Sequence, residues 1–261
     1  MIRWCAYCQK YIGEVEPFDR FEISHGICRR CVASGLFTEK DPVQQIRPVV
    51  EYYAKVSAAV RCDQGPLELL EEGLQLGLDP WDLLIGIIQP ALRRMGERWA
   101  CAQATVNDEH QLTTTCTEIL ALMERRQAGF GPLRQGRPPE VLLVNAEGNF
   151  HTLGIRLVEF FLLTRSIPVM AIYSGLPTQD VIRIVKSIRP LVVGISCAMP
   201  GQMTSARRTA EAIADLPFAD NLDVFVGGFA ARGIKEISSD MPFRVCISPS
   251  DLLDHLPAPA V

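Results

Sequence analysis

Long apolar runs are missing from this 261-residue chain: no stretch of about 18 consecutive apolar residues occurs, which excludes an ordinary membrane-spanning helix. A leader-type hydrophobic segment is also missing from the start, MIRWCAYCQK, so the chain reads as cytoplasmic. Excess positive charge is absent. With 26 Lys and Arg against 30 Asp and Glu the net charge is −4, which argues against nonspecific nucleic-acid binding through a basic face. Internal repeats and low-complexity segments are absent as well. What is plentiful is apolar residue, 48% of the chain, enough for real cores in one to three compact units.

Cysteine is not scarce either. Four of the nine cysteines form two C-x-x-C pairs, Cys5/Cys8 and Cys28/Cys31, with nineteen residues between the pairs and His25 just ahead of the second. In a reducing compartment such pairs point to metal rather than to disulfides. Each pair supplies two corners of a tetrahedron, and four thiolates close a structural zinc site. A redox dithiol needs only one pair. A closed four-sulfur site has no open position, so this zinc is read as a fold staple and not a catalyst. The string FEISHGICRRC resembles the SHGIC-x-x-C zinc-ribbon-like segment of bacterial signalling proteins. Residues 1–40 carry six Lys and Arg against five Asp and Glu. A DNA-reading finger would be more basic, so docking to a protein is the expectation. Cys62, Cys101, Cys116, Cys197 and Cys246 are scattered among apolar neighbours and read as small packing residues.

The chain divides by composition into 1–40, a zinc-binding segment whose core must come from elsewhere; 41–128, helical; 129–139, a Gly/Pro/Arg linker (GFGPLRQGRPP); and 140–261, α/β. In the second region VQQIRPVVEYYAKVSAAVRC, PLELLEEGLQLG, PWDLLIGIIQPALRRMGERWA and NDEHQLTTTCTEILALMERR carry apolar residues at three- and four-residue spacing. Asp79-Pro80 starts one helix, Asn107 or Asp108 is expected to cap the last, and Pro90 is expected to kink the third. Four helices with short connections make a small bundle. In the fourth region VLLVNA, PVMAIY, PLVVGISC, DVFVGGF and RVCIS are buried-strand runs alternating with amphipathic helices. That pattern predicts a parallel sheet of five strands with helices on both faces.

Ligands of such sheets bind at the carboxyl ends of the strands. The first strand runs into EGNFHTLG, which places His151 on the loop at that edge, with Asn149 two residues before it and Gly154 three after. An exposed histidine there can coordinate a metal, Asn149 can orient its ring, and the glycine lets a bulky planar ligand approach the backbone. Alone, N-x-H-x-x-G is a weak signal, and an ordinary surface histidine is the readier reading. The third strand, however, ends at Ser196 and the fourth at Gly227-Gly228. Together these motifs resemble the cobalamin-binding domain family, with its D-x-H-x-x-G signature, later serine and glycine pair, over nearly all of residues 140–256. The resemblance implies a flavodoxin-like (Rossmann-type) domain in which His151 replaces the lower base of cobalamin. It further implies that the displaced nucleotide tail lies in a slot lined by Ser196, Gly227 and Gly228. The family's aspartate is Asn149 here; an uncharged amide raises the basicity of the histidine less than a carboxylate does.

The helical region then reads as a four-helix cobalamin cap. Trp99, Val106, Glu109 and His110, in RWACAQATVNDEHQ, resemble the cap residues of the light-sensing CarH/LitR family. That resemblance implies adenosylcobalamin as cofactor, with Trp99 packed on the adenosyl group and Glu109 accepting hydrogen bonds from it. It implies that His110 takes the upper cobalt position after light breaks the cobalt–carbon bond. Without the downstream motifs, Trp99 would read as core and Glu109-His110 as a solvated first turn. The best-known members of the family begin with a MerR-type DNA-binding domain where this chain has the zinc segment. Direct DNA binding is therefore not expected, and output through a protein partner, such as a transcription regulator, or through light-dependent homo-oligomers is. The alternative is a corrinoid methyl carrier serving partner methyltransferases; a mutase subunit and a light-independent redox or cobalamin-availability sensor rank below it. The first reading is a non-enzymatic photosensor acting on transcription or signalling.

Overall fold

The computed structural model describes residues 1–35, 41–58, 64–126, 138–234 and 241–257. Cys62 and residues 129–137 of the expected linker lie outside them. The chain forms two compact units, Met1–Arg126 and Gln127–Val261. No helix among the described residues is long and apolar enough to cross a membrane.

The first unit opens with a three-stranded sheet, β1 (Ile2–Cys5), β2 (Tyr11–Glu14) and β3 (Ile23–Gly26), in the order β2-β1-β3, followed by the short α1 (Arg29–Ala33). These strands are too short to bury a core among themselves, and they borrow one from the helices that follow. Those are α2 (Pro42–Ser57), α3 (Pro66–Gln75), α4 (Pro80–Leu83), α5 (Gln89–Ala100) and α6 (Val106–Arg126). Trp4 is fully buried, edge-on to Tyr11 at 6.0 Å. Its ring lies where a Cβ on Gly86 would come within 2.5 Å, so only glycine lets the helix approach this closely. Arg93 of α5 and Glu14 of β2 form a two-pronged ion pair, 3.0 Å from Nη1 to Oε2, with both side chains about nine-tenths buried. Arg93 also lies over the Phe21 ring at 5.7 Å. The helix carrying Gly86 is irregular there. Leu84–Ile88 is a π turn, with the Gln89 N–H reaching back to the Leu84 carbonyl, just ahead of Pro90. The break expected from Pro90 therefore sits in the turn before it, a common place for a π bulge to absorb a missing N–H.

Asp79 caps α4 by accepting from the Trp81 N–H at 2.9 Å, with Pro80 at the first helical position, as expected. The cap of α6 differs from expectation. Thr105 takes that role: its Oγ1 accepts from the Asp108 N–H at 3.1 Å while Asp108 accepts from the Thr105 N–H at 2.8 Å. This is a reciprocal capping box, and it outcompetes a cap at Asn107 or Asp108 because it satisfies two end groups at once. Cys116 and Cys197 are buried as packing residues and Cys246 is half-buried, but Cys101 is exposed. It sits just past α5, where the chain reverses through Ala102 at φ 56°, and no core reaches that turn.

The second unit is a five-stranded parallel sheet in the order β5-β4-β6-β7-β8: β4 (Val141–Asn145), β5 (Val169–Gly175), β6 (Val192–Ser196), β7 (Asp223–Gly227) and β8 (Arg244–Cys246). Helices α7 (Leu153–Leu163), α8 (Thr178–Ile188) and α9 (Met203–Ala214) supply the crossovers that parallel pairing requires. All of β4 is buried, which is why its sequence shows no alternation. One cross-strand row, Gly175–Asn145–Ser196–Gly227–Cys246, marks the carboxyl edge.

In the first unit, Asp82 is a buried carboxyl whose Oδ2 has no hydrogen-bond partner among the described residues. Burial raises it to about 6, with Lys10 opposing and Asp79 reinforcing the rise. Its charge therefore costs stability above pH 6, and that cost disappears as the pH falls from about 6 to about 4. Asp82→Asn is expected to raise the melting temperature at pH 7.5, by no more than about 3 kcal/mol in stability. The gain should shrink steadily between pH 6 and pH 4 in paired thermal melts.

Candidate functional site

The carboxyl edge of the second unit is built by three loops. The β4–α7 loop holds Asn149, fully buried, and His151, exposed. The Asn149 Oδ1 accepts from the His151 backbone N–H at 3.0 Å and lies 3.2 Å from its ring Nδ1. The Asn149 Nδ2 donates to the Ser196 carbonyl at 2.8 Å and to Asn145 Oδ1 at 3.1 Å. This loop is thereby tied to the end of β6. With Nδ1 engaged, Nε2 is the ring nitrogen left for a metal. Gly154 lies in the first turn of α7, and a Cβ there would meet open space.

The β6–α9 loop is held by Gln202, whose Oε1 accepts from the Ala198 and Met199 N–H groups at 3.0 Å each and whose Nε2 donates to the Gly148 carbonyl at 3.3 Å. Ser196 closes β6 and gives its carbonyl to the Ala146 and Asn149 donors. At the end of β7, Gly228 has φ +100°, and a Cβ on it would stand 2.2 Å from the Cys197 carbonyl oxygen. Gly227 pairs directly with Ser196 in the sheet. The expected residues Asn149, His151, Ser196, Gly227 and Gly228 thus converge on one edge.

Sequence reasoning missed two sets of neighbours. Asn145, 1% exposed, bridges the Tyr173 carbonyl at 2.6 Å to Asn149; the signal was a second asparagine four residues ahead of Asn149. Phe150 (86% exposed), Met199 and Phe229 (each half-exposed) project from the loops after β4, β6 and β7. Three large apolar side chains on neighbouring loops of one edge make a surface suited to a flat, largely apolar ligand. Together with an exposed imidazole, these groups fit a corrin: apolar support and one nitrogen ligand.

In the first unit, Trp99 is half-exposed at the end of α5, and Val106, Glu109 and His110 lie in the first turns of α6. His110 Nδ1 is 2.6 Å from Glu109 Oε2, and Glu109 Oε1 accepts from Thr113 Oγ1 at 2.8 Å. The carboxylate thus holds the imidazole by one nitrogen and leaves Nε2. A cavity of about 230 Å³ beside them is lined by Ala54, Ser57, Arg94, Met95, Arg98 and Asp108, too small for a macrocycle.

Also in that unit, Cys5, Cys8, Cys28 and Cys31 bring their sulfurs within 4.8 Å of one another, with Cys8 and Cys28 at 3.7 Å. The Cys28 N–H points to Cys5 Sγ and the Cys31 N–H to Cys28 Sγ, each at 3.4 Å. Burial works against the Cys5 thiolate, but backbone donors from Cys28, Cys8 and Tyr7 outweigh it and bring the thiol to about 7. Burial and the neighbouring sulfurs push Cys31 up to about 12. The cluster can hold a metal ion.

Residues 59–124 match the protein family described as B12 binding domain. Over 211 residues the chain is 26% identical to the HTH-type transcriptional repressor CarH of Myxococcus xanthus, covering 77% of this chain and 66% of that protein. These matches support cobalamin as the ligand. The chain thus spans just under two thirds of that curated relative's length. Among solved structures, the monomethylamine corrinoid protein of Methanosarcina barkeri superposes with a TM-score of 0.60 at 13% identity, covering 78% of this chain and 94% of that one. That likeness concerns the fold, a helical region with a parallel α/β domain.

Gly228 ties the carboxyl edge to the stability of the sheet. Gly228→Ala is expected to destabilise the second unit by about 3 kcal/mol, through a positive φ and a backbone clash. A lowered melting temperature and weakened cobalamin retention on gel filtration check it.

Proposed function

We propose that this chain is an adenosylcobalamin-dependent light sensor that catalyses no reaction and signals through protein contacts. The observation that carries the reading is the grouping of an exposed Trp99 with the hydrogen-bonded Glu109–His110 pair at the α5–α6 turn, in the region matching the B12 binding domain. When bound, adenosylcobalamin supplies a cobalt–carbon bond that light cleaves. His151 would hold the cobalt through Nε2, with Asn149 holding its Nδ1 side. Ser196, Gly227 and Gly228 would line the slot for the nucleotide tail, and Gly154 would admit the macrocycle close to the backbone. Trp99 and Val106 would cover the adenosyl group and exclude water from it. Glu109 would orient His110, whose Nε2 would be a further nitrogen able to hold the cobalt after light. The output would be a partner protein such as a transcription regulator, or a second copy of the chain, since a near-neutral cysteine segment offers no basic face for DNA.

A corrinoid methyl carrier would share the carboxyl-edge residues and the fold of the Methanosarcina protein; it would have no use for an ordered Glu109–His110 pair. Purified in the dark with adenosylcobalamin and then illuminated, the protein is expected to show an absorbance change that persists after the light is removed. In His110→Ala the change should decay at least about tenfold faster, the scale on which metal-site ligand shells act. No persistent change, together with ready methyl uptake from methyl donors, would establish the carrier instead.

We also propose that the four cysteines hold one zinc ion as a structural staple. Tetrahedral zinc–sulfur bonds of about 2.3 Å place sulfurs just under 4 Å apart, and Cys8 and Cys28 are already at that separation. Elemental analysis is expected to give one zinc per chain. Its removal by a strong chelator, or Cys8→Ser, should lower the melting temperature of the first unit, and a metal-free preparation with unchanged stability would contradict the assignment.

A further inference from the structure

The four cysteines of the first unit are not equally placed. Cys5 and Cys31 are buried, at 0% and 1% exposure, whereas Cys8 is exposed and Cys28 partly so. Each C-x-x-C pair thus gives one cysteine to the core and one to the solvent side. The two outer sulfurs, which come from different pairs, stand 3.7 Å apart. Cys8 sits in the turn between β1 and β2, and Cys28 caps α1. Their sequence neighbourhood is cationic. Lys10 follows Cys8, and Arg29 and Arg30 follow Cys28; all three are exposed, and no Asp or Glu lies within five residues of either cysteine. Partly exposed thiolates in electropositive surroundings are the reactive kind, and zinc keeps its sulfur ligands in the thiolate form.

We propose that Cys8 and Cys28 are an oxidation site, at which a peroxide converts them to a disulfide and the zinc leaves. The proposal rests on the zinc reading for the identity of the ion, and on neither cobalt nor light. The Cys8 thiolate attacks one peroxide oxygen, the O–O bond breaks, and the departing hydroxide takes a proton, which leaves a sulfenic acid and water. The Cys28 thiolate then attacks the Cys8 sulfur. An S–S bond forms, and a second hydroxide leaves as water after taking a proton. Two thiolates lose two electrons in all, and one hydrogen peroxide gains them to become two waters. Resolution within a C-x-x-C pair would have to engage a core sulfur, at Cys5 or Cys31, away from the water that receives the hydroxide. Two remaining sulfurs cannot close a tetrahedral site, so the ion dissociates. Gln9, next to Cys8, donates to the Gln45 carbonyl of α2 at 3.2 Å, so a shift of this turn reaches the helices of the same unit.

The test uses the full-length zinc-loaded protein, without cofactor and in the dark, carrying Cys101→Ser to remove another exposed thiol. Hydrogen peroxide is added in the presence of a chromogenic zinc chelator, and free thiols are counted in parallel. One zinc is expected for every two thiols lost, and dithiothreitol with added zinc should restore both. Trypsin cuts after Arg3, Lys10, Arg20, Arg29 and Arg30, so Cys28 and Cys31 leave in separate peptides, and fragmentation tells Cys8 from Cys5. The cross-linked product should join residues 4–10 to residues 21–29 through Cys8 and Cys28. Zinc retained after two thiols are lost overturns the proposal. So does a disulfide mapped to Cys5–Cys8 or Cys28–Cys31, or thiol loss confined to other cysteines. A protein that purifies without zinc yet forms the Cys8–Cys28 disulfide would remove the zinc reading while upholding the oxidised pair.

Discussion

Parallel pairing governs the second unit, because a central strand such as β4, buried on both faces, has nowhere to put polar chemistry except where it ends. The edge strands β5 and β8, expected as buried runs, are partly exposed. With all five strands pointing the same way, those ends fall in one row, Gly175–Asn145–Ser196–Gly227–Cys246, and the loops leaving them share one edge. Every group of this unit that we propose to meet the cofactor follows from that row. His151 leaves β4, Met199 leaves β6, and Gly228 and Phe229 leave β7. The close approach of Gly228 to the Cys197 carbonyl and the bond from Asn149 to the Ser196 carbonyl stitch these loops together.

The first unit solves a different problem. Its three strands, each four residues long, carry the four cysteines but lack a core of their own. Trp4 supplies one by entering the bundle against Gly86, and the buried Glu14–Arg93 pair fixes the register of sheet on helix. A desolvated pair like this adds little net stability, but losing one partner is costly, so it specifies how the strands sit on α5. The same helix ends at Trp99. Cysteine cluster and cap therefore share one packed body, which a linear division at residue 40 does not convey.

Much of this was legible in sequence. The continuous apolar runs named all five strands and their parallel arrangement, and the C-x-x-C spacing named the four sulfurs that converge. The residues that close the β4 loop were harder. Asn145 looks like an ordinary polar strand end, and only the Tyr173 carbonyl from the adjacent strand shows that it is one link of a chain. Phe150, Met199 and Phe229 lie far apart in sequence and become one surface only through the sheet order. The Thr105–Asp108 capping box was hidden by Asn107 and Asp108, two good caps that came one turn too late. The π turn has no sequence mark beyond Pro90, whose missing N–H it absorbs.

The amide at position 149 also bears on how the protein ages. Spontaneous deamidation needs the asparagine side chain to swing onto the backbone nitrogen of the next residue and close a five-membered ring. Here that side chain is buried and tied by four hydrogen bonds, two accepted and two donated. Those bonds would have to break before the ring could form. The bonds that tie the β4–α7 loop to the end of β6 therefore also slow the chemistry that would turn this amide into a carboxylate.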